Sequence, residues 1–233
     1  PLPTQPQVIL RNETYRARKE APLIKLTSGL FHLHTIIRKK FQIPPQEVPD
    51  LRYDNEQFEY KIKKGEVLNN RYKVISALGK GTFGQVVKCQ NLLTDKFVAL
   101  KVIKSHSSYT EQAKREIDIL LEVNRADEND SFGILRMLDH FVHHGHICIV
   151  FELLSIDLYE VIKQSKSLSL MLIRKFAYQL LNSLHFLSPE GVDIIHSDLK
   201  PENILLREPN MSGIKIIDFG SSCRSHEKIF TYI

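Results

Sequence analysis

The chain has 233 residues, 42% of them hydrophobic and 25% charged, with 32 Lys and Arg against 27 Asp and Glu for a formal charge of +5. These proportions belong to a globular protein and exclude a disordered, collagenous or disulfide-stapled chain, and the charge surplus is too thinly spread for a nucleic-acid footprint. Three scattered cysteines (Cys89, Cys148, Cys223) match neither a zinc site nor a secreted framework; no apolar run approaches the ~18 residues of a membrane span, so a soluble, intracellular protein is expected.

Residues 1 to about 50 carry Pro1, Pro3, Pro6, Pro22, Pro44, Pro45 and Pro49 and show little period apart from a short helix predicted over Leu30 to Phe41. They read as an extended arm. The cluster Arg38-Lys39-Lys40 suits either a nuclear import signal or a solvated helix end.

Past Lys64 the pattern changes. Two alternating apolar runs in RYKVISALGKGTFGQVVKC, split by glycines, predict strand, turn, strand, and KFVALKVIK predicts a third strand. Ser107, Ser108 and Thr110 are N-cap candidates for a helix from Glu111 to Arg125 with an apolar stripe of Ala113, Ile117, Leu120 and Leu121. RMLDHFVH and HICIVFELL predict two more strands. From Asp157 the period becomes helical, first in DLYEVIK and then over Leu168 to Leu187, where Ile173, Phe176, Ala177, Leu180, Leu181 and Leu184 form the stripe and Met171 reads as core filler. Short β-type runs in DIIHS, NILLR and IKIIDF follow, broken by polar loops. The expectation is an α+β chain with a sheet lobe and a helical lobe meeting near Leu154, leaving a cleft for a ligand.

Gly79-Lys80-Gly81-Thr82-Phe83-Gly84 matches GxGxxG, which alone is weak because dinucleotide sites share it. A dinucleotide site needs a helix after the third glycine, yet Gln85-Val86-Val87-Lys88 continues as a strand, so the glycines sit at a hairpin tip where backbone amides can approach phosphates. Lys101 lies inside the apolar strand Val98-Ala99-Leu100-Lys101. Burying it needs anions, and Glu116 on the next helix and a nucleotide phosphate are the expected pair; a lysine snorkelling to solvent is the alternative. His196 to Asn203 (HSDLKPEN) places Asp198, Lys200 and Asn203 in one polar loop, suited to a substrate hydroxyl, a transferring phosphoryl group and a metal ion. Asp218-Phe219-Gly220 ends a later apolar strand and offers another hard oxygen ligand for magnesium.

This ordered series resembles the protein-kinase signature from about Arg71 to the last residue. Asp218 to Cys223 with Phe230-Thr231-Tyr232-Ile233, and the segment Phe151 to Ser155 with Asp157-Leu158-Tyr159, resemble the DYRK family, the dual-specificity tyrosine-regulated kinases; Tyr53 to Glu66 (YDNEQFEYKIKKGE) and Ala21 to Phe41 resemble the homology box and leading helix of its nuclear, minibrain-like class. The resemblance implies a two-lobe fold with a five-stranded antiparallel sheet plus one helix in the N-lobe and a mainly helical, incomplete C-lobe. It divides the chain into an arm with its box (1–70), an N-lobe (71–154) and a partial C-lobe up to the activation loop (155–233).

By the same resemblance, ATP would be held by Leu78, Gly79, Lys80, Gly81, Thr82, Phe83, Gly84, Gln85, Val86, Ala99, Lys101, Leu205 and Asp218, with Phe151 as gatekeeper, backbone groups of Glu152, Leu153 and Leu154 at the adenine edge, and Ser155 and Asp157 near the ribose. Glu116 would pair with Lys101, Asp198 would be the catalytic base, Lys200 would steady the γ-phosphate, and Asn203 and Asp218 would hold Mg²⁺. Leu120, Met137, His196 and Phe219 would stack as a regulatory column or serve as plain core. Tyr232 would be the autophosphorylated tyrosine; the substrates implied are serine and threonine hydroxyls of proteins, with a taste for proline after the target, acted on by a monomer in the nucleus or cytoplasm that binds neither nucleic acid nor membrane.

Two departures from the pattern stand out. Ser197 sits where most kinases have Arg and DYRK relatives usually have Cys, which removes the cation that reads a phosphorylated loop and leaves Cys223 without a thiol neighbour. The sequence ends at Ile233, before the family's remaining C-lobe, so this stretch by itself is expected to be a catalytically incompetent fragment, or else a pseudokinase-like binding scaffold. An uncovered apolar face on the Leu168 to Leu187 helix is expected with it. The HIPK and CLK families share the Asp/Lys/Asn loop, but Cys223 and the Thr231-Tyr232-Ile233 ending argue against them.

Overall fold

In a computed structural model of the chain, residues 49–165 and 167–227 are described. The leading helix, the basic cluster and Tyr232 lie outside them. Alternation along the strands builds the first half. Strands β1 (Val67–Leu68), β2 (Tyr72–Lys80), β3 (Gly84–Asn91), β4 (Phe97–Ile103), β5 (Met137–His143) and β6 (His146–Glu152) form one antiparallel sheet in the order β1-β2-β3-β4-β6-β5. The sheet thus has six strands where five were expected. The extra one, β1, is a two-residue edge pairing too short to leave a period in the sequence.

Side chains on successive strand residues point to opposite faces. Val98, Leu100 and Val102 of β4 join Val74, Val87, Cys89, Cys148 and Val150 in one buried cluster, closed by Tyr60 and Tyr72. The other face of the sheet meets helix α1 (Ser107–Ala126), where Ile103, Ile149 and Phe151 pack on Ala113, Ile117, Leu120 and Val123. Burying such side chains stabilises the fold by roughly 1.5–3 kcal/mol each. Because β6 has core on both sides, HICIVF is buried throughout. Helix α1 starts earlier than expected and is capped by His106, whose ring accepts the Ser108 N–H; Leu121 falls outside its buried stripe, and Val123 takes the place expected for it.

The second half carries helices α2 (Leu158–Gln164) and α3 (Leu170–Leu187) and the short strands β7 (Ile194–Ile195), β8 (Ile204–Leu206), β9 (Ile214–Ile216) and β10 (Cys223–Arg224). Strands β8 and β9 pair, as do β7 and β10. Asp157 and Ser169 cap the two helices through their side chains. In α3, Phe176, Ser183, Phe186 and Leu187 are buried, whereas Met171 is 71% exposed and Ile173, Leu181 and Leu184 are also exposed. Met171 is therefore not core, and of the six stripe residues only Phe176 is buried and Leu180 partly so. Apolar residues stand on both the buried and the open side of this helix, so its period does not say which side is covered. Among the described residues that apolar face is uncovered, as expected from the sequence.

Gly84 opens β3 at a point where the chain passes close to β4. A Cβ built there would lie 2.1 Å from the Val102 carbonyl oxygen. Gly84→Ala is therefore expected to destabilise the protein by about 1–3 kcal/mol, the usual cost of forced overpacking, read as a lower denaturant midpoint at unchanged slope. At Gly79 and Gly81 the same Cβ would meet nothing within 4 Å. The inner glycines border open space, which is what a ligand approaching the turn requires.

Candidate active site

The strand period that buries Val98, Leu100 and Val102 on one face turns Lys101 to the other, towards α1. There its ammonium lies 2.9 Å from both carboxylate oxygens of Glu116 and 3.1 Å from Asp218 Oδ1. The Lys101 side chain is only 13% exposed, so it does not snorkel. Its second anion in the structure is Asp218, where the sequence pointed to a phosphate. Burial disfavours the Lys101 charge, but the two carboxylates outweigh it and raise its pKa; burial pushes Glu116 up, while for Asp218 the nearby Lys101 overcomes burial and holds the carboxylate below its usual range.

Asp218 is placed by its backbone, which is left-handed (φ 62°) and turns the chain into the 3-10 turn Phe219–Ser221. Phe219 is buried in the cluster containing Leu120, with Met137 packed against it, and stacks edge-on against His196 at 5.0 Å. The four column residues of the sequence reading are thus brought into one packed region. Gln112 of α1 donates to the Gly220 carbonyl at 2.6 Å, and Arg224 of β10 pairs with Glu122 of α1. Sequence reasoning missed both. Gln112 had a signal, since it lies one helical turn before Glu116 on the same face, but Arg224 had none.

The polar loop between β7 and β8 is held against the Asp218 segment. His196 Nε2 donates to the Ile217 carbonyl at 2.9 Å, Ser222 Oγ donates to the His196 carbonyl at 3.2 Å, and Ile217 N–H reaches the Asn203 carbonyl at 2.9 Å. Inside the loop, Asp198 Oδ2 accepts from Lys200 at 2.7 Å and from Asn203 Nδ2 at 3.0 Å; Nδ2 also reaches the Asp198 carbonyl at 2.8 Å. Asn203 is buried, whereas Asp198 and Lys200 are partly open to solvent. Ser197 is left-handed (φ 65°), and its hydroxyl lies 3.8 Å from the Cys223 thiol.

His196 Nδ1 accepts the Asp198 N–H at 3.3 Å while Nε2 donates, so the ring is bonded as a neutral tautomer. Burial lowers its pKa in keeping with that. A histidine held neutral in the fold stabilises it fully above about pH 6.5, the unperturbed value, and that contribution is lost as the pH falls towards the lowered folded value. The melting temperature should therefore fall between pH 7 and pH 5, with a shallower fall in His196→Gln, and scans across that range check it.

At the back of the cleft, Phe151 is 5% exposed and sits opposite Ala99 across the β4–β6 ladder, while Val86 sits opposite Lys101. Leu78 is exposed at the lip, Leu205 bridges Asp157, and Ser155 N–H is taken by the Leu206 carbonyl. The Glu152 N–H is taken by Arg136, but Leu154 N–H has no backbone partner among the described residues. Asp157 spends one carboxylate oxygen on the Glu160 N–H as a helix cap. Glu152 turns its side chain away to the fully buried Lys215, which also binds Asp130 at 2.7 Å. A shallow depression on α3, lined by Met171, Arg174, Lys175 and Tyr178, shares no residue with this cleft.

Asp218 and Asn203 suit a magnesium ion chemically. Lys101 keeps Asp218 ionised, and Asn203 spends its amide nitrogen on Asp198, which leaves its carbonyl oxygen as the hard donor. Among the described residues no group of three or more His, Cys, Asp or Glu could hold a metal alone. An ion here would need oxygens from its ligand, as Mg²⁺ bound with phosphates does.

Comparison with known proteins agrees with the arrangement. The family described as protein kinase domain matches residues 72–232. The chain is 41% identical over 94% of its length to the probable serine/threonine-protein kinase yakA of Dictyostelium discoideum, covering 16% of that protein. It is 41% identical over 96% of its length to the dual specificity protein kinase YAK1 of Saccharomyces cerevisiae, covering 30% of it. Over 78% of the chain it is 46% identical to a putative dual specificity tyrosine-phosphorylation-regulated kinase 3 homolog of Drosophila melanogaster, covering 22% of it. The chain thus spans less than a third of the length of each of these relatives.

Proposed function

The chain belongs to the protein kinase family, alongside the dual-specificity tyrosine-phosphorylation-regulated kinases, and we propose that the protein transfers the γ-phosphoryl group of ATP to serine and threonine hydroxyls of other proteins and to its own Tyr232. The observation that carries this reading is the Lys101–Glu116–Asp218 cluster, tied by the His196 and Asn203 bonds to the loop of Asp198 and Lys200. That arrangement would offer one lysine to the α- and β-phosphates, an acid to an incoming hydroxyl and a second lysine to the γ-phosphate.

Leu78, Val86, Ala99, Phe151 and Leu205 would enclose the adenine, with the Leu154 N–H, which has no backbone partner among the described residues, at its edge. Asp198 would orient the acceptor hydroxyl and accept its proton, and Lys200, partly exposed and bonded within its loop among the described residues, would swing to the γ-phosphate. Asn203 and Asp218 would hold Mg²⁺, which when bound neutralises charge on the phosphate oxygens. Tyr232 lies outside the described residues and rests on the sequence resemblance, as do a proline preference and residence in nucleus or cytoplasm.

The test uses the full-length protein with MgATP and a serine-containing peptide, followed by mass spectrometry of both. Phosphate on the peptide and on Tyr232 is expected. A protein that binds MgATP yet phosphorylates neither would be a scaffold and would overturn the reading.

A further inference from the structure

The segment before β1 does more than cover the sheet. Asp54 is buried, bonded to His146 Nε2 at 2.7 Å and to Ser105 Oγ at 2.6 Å, and it bridges Tyr60. Between these anchors Asn55 Oδ1 accepts the Gln57 and Glu59 N–H groups, which fixes the bend. The bend buries Glu59, whose side chain is 3% exposed. A carboxylate so placed must be paired, and its partners are Asn55 Nδ2 at 2.8 Å, Lys80 at 2.8 Å and Lys104 at 3.5 Å.

Both lysines belong to the frame of the glycine turn. Lys80 is the last residue of β2, between Gly79 and Gly81, and Lys104 follows β4 and donates its N–H to the Phe83 carbonyl at 3.1 Å. On the far side of the turn Gln85 Nε2 donates to the Tyr60 carbonyl at 2.9 Å. The bend thus grips the turn at both of its ends. Apart from the edge-on contact of Phe83 with Tyr109 and the bond from Gly81 N–H to the Gly84 carbonyl, the turn has open space at Gly79 and Gly81 and little else to fix it.

We propose that Glu59 is a positioning residue that holds the glycine turn in its nucleotide-covering place through Lys80. This deepens the kinase reading and rests on it. The carboxylate is the fixed partner, and the Lys80 side chain, 60% exposed, is the one with an alternative in water. Released, Lys80 returns to solvent and the turn samples open positions. The pair therefore acts as a tether worth a several-fold effect rather than an absolute requirement.

The experiment compares full-length wild type, Glu59→Gln, Lys80→Met and the double variant by amide hydrogen exchange of residues 79–84 without nucleotide, and by MgATP affinity and turnover. Each single variant should speed exchange in the turn and weaken MgATP binding by about three- to tenfold. The double variant should be no worse than either single one. Additive effects, or wild-type exchange and affinity in Lys80→Met, would overturn the inference; Lys80 is exposed enough for that variant to fold even where Glu59→Gln does not. A wild type that binds no MgATP would overturn the kinase reading itself, a result distinct from a wild type that binds while its variants are unchanged.

Discussion

Replacing Lys101 by methionine is expected to reduce phosphoryl transfer by at least about 10²-fold, the size of effect seen when one preorganised charge is removed from a reacting site, and to destabilise the fold as well. The second effect follows from the burial of its partners. Glu116 is 3% exposed, and without Lys101 its carboxylate has no counter-charge among the described residues. Removing one member of a buried pair costs about 3–5 kcal/mol because the other remains charged in a poor solvent.

Glu116 can escape by taking a proton, which gives the prediction a pH signature. Its pKa is already pushed up by burial, and Lys101 is what restrains it. In Lys101→Met it should rise further, so the folded state binds a proton that the unfolded chain releases near pH 4.3. Stability of the variant relative to wild type should then recover as the pH falls from 8 towards 5. Melting curves across that range check it. A deficit that is flat with pH would mean that Glu116 is solvated in the variant and that the triad is weaker than its geometry indicates. Glu116→Gln in the same background should remove the pH dependence.

The triad also shows where the sequence was readable. Lys101 and Glu116 were legible together because an apolar strand leaves a lysine few partners, and the next helix offered one glutamate beside its buried stripe. The Asp198, Lys200 and Asn203 loop was legible because its members lie within six residues of one another. Glu59, Lys215 and Arg224 were not. Each is a charged residue that reads as solvated surface until its partner is known, and the partners are far along the chain: Lys80 is 21 residues from Glu59, Asp130 is 85 from Lys215 and Glu122 is 102 from Arg224. Helix α3 failed for a different reason. Its extent was near that expected, but which apolar side it buries depends on what packs against it, and periodicity carries no such information.

Asp198→Asn separates chemistry from architecture most cleanly. The substitution keeps the shape and one oxygen that can still accept from Lys200 or Asn203, and the Asp198–Lys200 pair it weakens is open to solvent, where ion pairs contribute about 0–1 kcal/mol. The fold and the affinity for MgATP should therefore be nearly unchanged. Turnover should fall by about 10²- to 10⁴-fold, the range expected when a positioned proton acceptor is lost, because an amide cannot take the proton of the attacking hydroxyl. Equilibrium binding of MgATP set beside steady-state turnover distinguishes the two terms. Lys200→Met provides the contrast, since a lysine that meets the γ-phosphate should affect nucleotide affinity and turnover together. If Asp198→Asn kept its turnover while Lys101→Met lost it, phosphates would be bound in this cleft but no acid at position 198 would be taking the proton, and the acceptor would have to be aligned by another group.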